Sequence, residues 1–162
     1  MAMGDALAVC LMKKRDFKKE DFASFHPGGS LGKKLFIKVD DLLRKENLPV
    51  VSRGTILKDA IIIMSQGRLG SVIITDENGK VFALLSDGDL RRALMNENFS
   101  MDCKVEDIAT INPKILKNKE LLASDALQVI EDYKIQLLIV TDEDSKLVGV
   151  LHIHDLIEAG IK

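Results

Sequence analysis

Paired arginines and paired histidines are the side chains in this sequence with the clearest capacity for chemistry. Arg91 and Arg92 could bind a phosphate or a carboxylate, although such a pair more commonly lies on a solvated helix face. His152 and His154 have the alternate-position spacing of two metal ligands on an extended strand. No pattern of Cys, Asp or Glu completes a metal site around them, so we predict no metal centre and no cofactor.

Two carboxylates and a glycine-rich stretch lie where helices are predicted to begin. Asp89 and Asp155 hold such positions, where a carboxylate stabilises the helix dipole without any ligand. The Gly-Gly-Ser stretch at 28–30 could cradle a phosphate, but a chain reversal with its serine as N-cap explains it equally well. By the same local reasoning, His26 caps or hydrogen-bonds the loop ahead of that helix.

An internal repeat positions most of these residues. The sequence from Val39 onward aligns without a gap on the sequence from Val105 onward, and we call this constant step the repeat offset. The alignment superimposes acidic and turn positions, among them Asp89 on Asp155 and the segment 73–77 on 139–143. Identities of this kind without a gap are hard to attribute to chance, so the chain contains two copies of one structural unit.

Each copy has the same order of predicted elements, β-α-β-β-α, because helical apolar spacing alternates with short β-branched runs. In copy one the elements are a strand at 49–51, a helix over 57–64, strands at 71–75 and 81–85, and a helix beginning near Asp87. In copy two they are a strand at 114–116, a helix over 122–130, strands at 136–141 and 146–151, and a helix beginning near His154. A unit of about sixty residues can barely bury a core alone. We therefore predict an α/β (α+β) fold in which the copies pack as a pseudo-twofold pair.

The junction between the second strand and the last helix resembles that of the cystathionine-β-synthase (CBS) domain pair, or Bateman module. Residues 83–90 read Ala-Leu-Leu-Ser-Asp-Gly-Asp-Leu, and residues 149–156 read Gly-Val-Leu-His-Ile-His-Asp-Leu. The resemblance covers residues 39–162 and implies tandem CBS repeats. In the family, the hydroxyl residue and the last Asp of this motif face a cleft between the repeats and hold the ribose of a nucleotide. Copy two departs from the pattern, because His152 stands where the hydroxyl residue belongs.

The resemblance thus implies a set of ligand-binding side chains. A carboxylate can accept hydrogen bonds from both hydroxyls of a ribose, and the twofold recurrence of the motif favours this role over helix capping. The neighbouring cationic and imidazole groups could bind the anionic part of the ligand. The predicted ligand-binding residues are Ser86, Asp89, Arg91, Arg92, His152, His154 and Asp155.

The first forty residues carry a second, narrower resemblance. Residues 25–32 read Phe-His-Pro-Gly-Gly-Ser-Leu-Gly and are similar to the end of the sugar-isomerase (SIS) domain of bacterial arabinose-5-phosphate isomerases. Those enzymes interconvert ribulose 5-phosphate and arabinose 5-phosphate on the route to the Kdo of lipopolysaccharide. The resemblance implies that His26 is catalytic in the parent enzyme, since a histidine suits proton transfer between adjacent carbons near neutral pH. The rest of the sugar-binding machinery is missing, so this chain is expected to be inactive.

A step in charge supports a division of the chain. Residues 1–39 carry eight basic and four acidic side chains, whereas the remaining residues carry 15 basic and 21 acidic ones. We predict that residues 1–38 are a remnant of the SIS domain and linker, 39–98 the first CBS repeat, and 99–162 the second. Within the remnant, helices are predicted around 5–12 and over 18–25.

The composition excludes several classes of protein. With no Trp and a single Tyr, the chain has few side chains on which bases can stack, which argues against nucleic-acid binding. No stretch approaches the ~20 consecutive apolar residues of a membrane span, and no signal peptide is visible. Two cysteines make no disulfide framework and fit the reducing cytoplasm, where we expect the protein to act.

Together the two resemblances predict the regulatory CBS pair of an arabinose-5-phosphate isomerase. Its ligand is expected to be of nucleotide type, and CMP-Kdo, the activated end product, would make a feedback signal. Two alternatives stay open: an adenine-nucleotide energy sensor responding to AMP or ATP, and a ligand-free oligomerisation module. The expected protein partners are the parent's own SIS domain and copies of the chain in a homodimer or tetramer. The apolar run 61–64, which exceeds what one core-facing stripe needs, favours a dimer.

Overall fold

The structure is a computed structural model that describes residues 2–18, 21, 24–25 and 29–161. The helices with described bounds at the start of the chain are α1 (Ala2–Lys14), α2 (Ser30–Phe36) and α3 (Val39–Leu42). The helix predicted around 5–12 is confirmed as α1. Half of the helix predicted over 18–25 (residues 19, 20, 22 and 23) lies outside the described residues, and so does His26.

The β-α-β-β-α order predicted for both copies is confirmed. The first repeat consists of β1 (Val50–Ser52), α4 (Leu57–Gly67), β2 (Ser71–Thr75), β3 (Val81–Ser86) and α5 (Asp87–Leu94). A short 3-10 turn (Val105–Asp107) and β4 (Thr110–Ile111) follow. The second repeat consists of β5 (Ile115–Leu116), α6 (Ala123–Tyr133), β6 (Leu137–Thr141), β7 (Leu147–His152) and α7 (Ile153–Glu158).

The long helix of the first repeat buries one stripe of its surface. In α4 the buried residues are Leu57, Ala60 and Met64, at the three- and four-residue steps of an amphipathic helix. Ile61 and Ile63 pack against the same core, whereas Ile62 is 56% exposed. The excess apolar surface expected from the run 61–64 is therefore limited to one side chain, and dimerisation stays a prediction.

The strands form two sheets with the same pairing. In the first sheet, β1 pairs with β2 in parallel, β2 with β3 antiparallel, and β3 with β4 antiparallel. In the second sheet, β5 pairs with β6 in parallel and β6 with β7 antiparallel. The register shifts between Ile74 and Thr75, and at the equivalent positions Val140 and Thr141. The irregularity in the strand pairing of the first sheet is thus repeated in the second sheet.

An apolar layer joins the two repeats. Ile73 of β2 and Ile139 of β6 are fully buried in one cluster, together with Leu69, Leu137 and Val150. Burial of an isoleucine side chain stabilises a fold by about 1.5–3 kcal/mol. The two sheets also meet at their turns, where the Val81 N–H donates to the Ser145 carbonyl at 3.0 Å. The expected packing of the copies against each other is confirmed.

The segment that leads into each repeat packs on the other repeat. Val39 is fully buried in the core of the second repeat, and its N–H donates to the Leu121 carbonyl at 2.9 Å. Val105 is fully buried in the core of the first repeat, and its N–H donates to the Thr55 carbonyl at 2.9 Å. The first residues of each repeat therefore complete the core of the other repeat, and we call this arrangement the exchange of segments.

Helix α1 differs from the repeats in its exposure. Its large apolar side chains Leu7, Val9, Leu11 and Met12 are between 47% and 65% exposed. The basic residues Lys13 and Lys14 lie in its last turn, where they stabilise the carboxyl end of the helix dipole. Among the helices of the described residues, each is too short or too polar to cross a lipid bilayer.

The exchange of segments can be tested with a single buried side chain. We expect Val39→Ala to lower the free energy of unfolding by about 2 kcal/mol, because the change leaves a cavity in the second repeat. Amide hydrogen exchange should accelerate in α6, β6 and β7 more than in α4 and β2. Val9→Ala, at a 56% exposed position of α1, is the matched control and should change little. Faster exchange confined to the first repeat would contradict the exchange of segments.

Candidate functional site

The junction between β3 and α5 is a capping box. The Asp89 N–H donates to Ser86 Oγ at 3.2 Å, and the Ser86 N–H donates to Asp89 Oδ2 at 2.9 Å. The Ser86 hydroxyl also donates to Asp89 Oδ2 at 2.6 Å. These bonds satisfy backbone groups that have no partner within the helix itself. The carboxylate thus has a structural role independent of any ligand.

Asp89 accepts further hydrogen bonds from outside the capping box. The Arg92 guanidinium and the Thr110 hydroxyl both donate to its Oδ1, the latter at 3.2 Å. Burial raises the pKa of Asp89, but the hydrogen bonds from Ser86, Arg92 and Thr110 outweigh burial and hold the pKa below its usual value. A carboxylate has about four acceptor sites. A hydroxyl of any ligand would therefore have to displace one of these donors to bind Asp89.

A cavity of about 430 Å³ lies beside this capping box, between the repeats. Both repeats line it, the second through residues 134–137. The charged residues of its lining are Asp87, Asp89, Arg91, Arg92, Lys114 and Lys134. We call this site the first cleft. Four cations against two carboxylates, in a chain of net charge −2, favour an anionic ligand.

The equivalent junction between β7 and α7 has a different set of contacts. The His154 N–H donates to His152 Nδ1 at 3.2 Å, and the His152 N–H donates to Asp155 Oδ2 at 3.4 Å. Arg44 approaches the same carboxylate, and its Nε donates to Asp155 Oδ1 at 3.1 Å and to Oδ2 at 2.8 Å. The Arg44 Nη2 also donates to Asp155 Oδ1. We call this cluster of Arg44, His152, His154 and Asp155 the second cleft, because the repeat offset relates it to the first.

His152 is buried as a neutral imidazole. Its side chain stacks on the ring of His154 with centroids 5.1 Å apart, and the residue is 8% exposed. Burial lowers the pKa of His152, as do the nearby His154 and Arg44, and together they outweigh the opposing effect of Asp155. The neutral form leaves Nδ1 free to accept the His154 N–H. His152 therefore caps its helix in place of the serine of the first repeat.

The predicted site residues divide between the two clefts. Ser86, Asp89, Arg91 and Arg92 come together in the first cleft, and His152, His154 and Asp155 in the second. The capping interpretation of both carboxylates is confirmed, so their recurrence has a structural explanation. A role for any of these residues in ligand binding stays a prediction. His26 lies outside the described residues.

Seven polar residues of the two clefts were not predicted from the sequence: Arg44, Ser71, Asp87, Thr110, Lys114, Lys134 and Gln136. Arg44 and Thr110 are separated by the repeat offset, so the repeat contained the signal that relates them. Lys114 lies with its Nζ 4.0 Å from the centroid of the Tyr133 ring, a cation–π contact between segments distant in sequence. Within the part of the chain that the structure describes, no group of three metal-ligating side chains is assembled.

The comparisons with known proteins agree with this arrangement. The CBS domain model matches residues 39–96 and 105–162. A protein of Helicobacter pylori without an assigned function is 51% identical over 162 residues, which are 100% of this chain and 49% of the relative. Arabinose 5-phosphate isomerase KdsD of Pseudomonas aeruginosa is 42% identical, over 99% of this chain and 49% of the relative. The chain thus spans about half the length of these curated relatives.

Solved structures share the fold. The crystal structure of CBSX2 in complex with AMP has a TM-score of 0.67 at 24% identity and covers 76% of this chain and 96% of that one. A CBS domain protein of Pyrobaculum aerophilum complexed with AMP has a TM-score of 0.66 at 21% identity and covers 74% and 90% of the respective chains. At these identities the likeness establishes the architecture of a CBS pair.

The buried imidazole of the second cleft predicts a dependence of stability on pH. Because the folded pKa of His152 lies below its ordinary value of 6.5, folding favours the neutral ring. This contribution is fully present above about pH 6.5 and is lost as the pH falls through the folded pKa. We expect the melting temperature of the unsubstituted chain to fall between pH 7.5 and pH 5.5, and that of His152→Ser to fall less.

Serine is the natural capping residue of the first repeat, so His152→Ser keeps the N-cap. His154→Ser makes the same chemical change at the exposed neighbouring histidine; because His154 contributes to the lowered pKa of His152 without burying it, this variant should reduce the pH dependence less than His152→Ser does. An equal fall in the melting temperature of the unsubstituted chain and of His152→Ser would contradict the assignment.

Proposed function

The chain belongs to the CBS domain family, and from that premise we propose that it is the ligand-sensing half of an arabinose 5-phosphate isomerase, binding a nucleotide-type ligand in the first cleft. The coverage of half of KdsD supports this interpretation, since the remaining half of such a relative has room for a catalytic domain. In the longer protein, ribulose 5-phosphate and arabinose 5-phosphate would be interconverted by that domain. Residues 1–38 would be its end, with His26 in its active site.

One observation carries the proposal. Asp89, three hydroxyl side chains (Ser71, Ser86 and Thr110) and four cations line the same cavity. A ribose hydroxyl replaces the Thr110 or Arg92 donor on Asp89, so the carboxylate stays fully hydrogen-bonded. Arg92, whose side chain is 73% exposed, then turns toward the anionic part of the ligand. When Arg92 is the donor displaced, Asp89 thus binds the ribose while Arg92 binds the anionic part of the same ligand.

CMP-Kdo fits this division of the first cleft. It offers a ribose for Asp89 and two separate anionic groups, a phosphodiester and a carboxylate, for the cations of the two repeats. Arg91 and Arg92 come from the first repeat, and Lys134 comes from the second. A ligand with two anionic groups on the same side of its ribose would contact cations of both repeats, and the isomerase would respond to the end product of its own pathway.

An adenine nucleotide is the second candidate ligand. Two structural neighbours are complexes with AMP, which supports nucleotide binding by a cleft of this architecture. AMP carries its charge at one end, so it would use the cations of one side of the cavity. In this case the pair acts as an energy sensor, and AMP or ATP would bind more tightly than cytidine compounds.

Regulation requires that the ligand bind two conformations of the longer protein with different affinity. Residues 37–44 connect the N-terminal segment to the second repeat and could transmit a change in its position. The Ala123 N–H donates to the Ile37 carbonyl at 2.8 Å, and Lys38 pairs with Glu120 at 2.6 Å. A ligand that changes the spacing of the repeats would move this segment.

We also propose that the remnant of the catalytic domain ends at residue 38, that the first repeat spans residues 39–98 and that the second spans residues 99–162.

Isothermal titration of the chain with CMP-Kdo, CMP, AMP and ATP tests the proposal. We expect CMP-Kdo to bind more tightly than CMP, with adenylates weaker still. Asp89→Asn should weaken binding about tenfold or more, since it replaces a charged acceptor of the ribose hydroxyls. Asp59→Asn, at an exposed position of α4 outside the cavity, is the matched control and should bind as the unsubstituted chain does.

The titration also separates the alternatives. Tighter binding of AMP or ATP with the same dependence on Asp89 would make the pair an energy sensor. Binding that Asp89→Asn leaves unchanged would refute the assignment of the first cleft. If none of the four compounds binds, the pair serves in assembly, and sedimentation would then show a dimer or tetramer.

A further inference from the structure

The two clefts differ in the residue that faces their central carboxylate. In the first cleft, Thr110 of β4 pairs with Leu84 of β3 and donates to Asp89. In the second cleft, Arg44 pairs with Val150 of β7 through two backbone hydrogen bonds of 2.9 and 3.0 Å. The repeat offset places Arg44 on Thr110 and Val150 on Leu84. One backbone position therefore carries a short hydroxyl side chain in one cleft and a long cation in the other.

Arg44 holds Asp155 in a bidentate contact. Its Nε and Nη2 both donate to the carboxylate, and the Arg44 pKa is raised by these hydrogen bonds. The side chain of Asp155 is 14% exposed, so most of its surface is covered by the pair and the capping box. The planar guanidinium fills the acceptor sites that the two hydroxyls of a ribose would need.

A glycine lets the backbone at Arg44 approach β7. A Cβ built at Gly149 would lie 2.5 Å from the Arg44 carbonyl oxygen and 2.7 Å from Leu43 Cγ. The equivalent residue of the first repeat is Ala83, which pairs with Ile111. The chain before β1 therefore lies closer to β7 than a side chain at position 149 would permit. The approach of Arg44 to Asp155 is part of the fold.

The cations of the first cleft are not repeated in the second. At the repeat offset, Arg91 corresponds to Ile157, Arg92 to Glu158, Lys114 to Leu48 and Lys134 to Arg68. Three of four positive charges are replaced by two apolar residues and an acid. An anionic ligand would lose these contacts and would also have to displace Arg44 from Asp155.

We propose that Arg44 is a built-in occupant of the second cleft, which restricts the chain to one nucleotide-type ligand, in the first cleft. The inference rests on the proposed function for the identity of that ligand. The guanidinium supplies Asp155 with the hydrogen bonds that ligand hydroxyls supply in an occupied cleft. Arg44 belongs to the segment 37–44, so closure of the second cleft also fixes this segment on the second repeat.

A reciprocal exchange of the two residues tests the restriction, with the number of ligands per chain counted by native mass spectrometry and calorimetry. CMP-Kdo, CMP and AMP are the probes. We expect one ligand for the unsubstituted chain and none for Thr110→Arg, which places a guanidinium opposite Asp89. The combined variant Arg44→Thr, His152→Ser, Ile157→Arg and Glu158→Arg should bind two. Two ligands on the unsubstituted chain, or one on a folded combined variant, would overturn the proposal.

A second measurement requires no ligand and keeps the two proposals separate. If Arg44 and Asp155 act as one unit, Arg44→Gln and Asp155→Asn should each lower the melting temperature, and the double variant should lower it no further than the larger single effect. Additive shifts would mean that the pair does not hold the second cleft, and would overturn the role of Arg44. Absence of binding by the unsubstituted chain, together with a coupled pair, would refute only the proposed function.

Discussion

Neither repeat can bury its own sheet, and the rest of the structure depends on this constraint. Each unit of about sixty residues has too little interior to be stable alone. The strands β2 and β6 therefore pack face to face through Ile73 and Ile139, and Val39 and Val105 each complete the core of the opposite repeat. Both clefts border this shared layer, since Leu137 lines the first and Val150 pairs with Arg44 of the second. Their position is thus a consequence of how the cores are completed.

A nearly symmetric backbone supports two chemically different clefts. Strand pairing, the irregularity of the ladder and both capping boxes recur at the repeat offset. The side chains at those positions do not, since Thr110 becomes Arg44 and Arg92 becomes Glu158. Duplication of a unit that folds only as a pair leaves the backbone of both copies under the same constraint. Side chains that face the clefts can differ between the repeats, because each capping box uses only two residues, the N-cap residue and the Asp three positions later.

The capping boxes explain why a motif can indicate a ligand site and still be structural. Ser86 and Asp89 satisfy the first turn of α5 by themselves, and His152 and Asp155 do so for α7. Asp89 is buried in this role and its hydrogen bonds hold its pKa below the usual value, which also makes it a strong acceptor for a ligand. The remaining donors on each carboxylate then decide access: an exposed arginine and a hydroxyl at Asp89, and a bidentate guanidinium at Asp155.

The sequence by itself determined the repeat and its element order, and it predicted the limits of every strand except β4 to within one residue, because apolar periodicity and turn residues are local signals. It predicted β2 at 71–75 without error and β3 to within one residue, and it identified both carboxylates. Only the tertiary structure decided that Arg44 faces Asp155 and that Lys114 and Lys134 line the first cleft, since these contacts join segments far apart in the chain. The tertiary structure also decided that the first residues of each repeat, at Val39 and Val105, pack in the core of the other repeat. No local pattern distinguishes a valine that packs on its own repeat from one that packs on its neighbour.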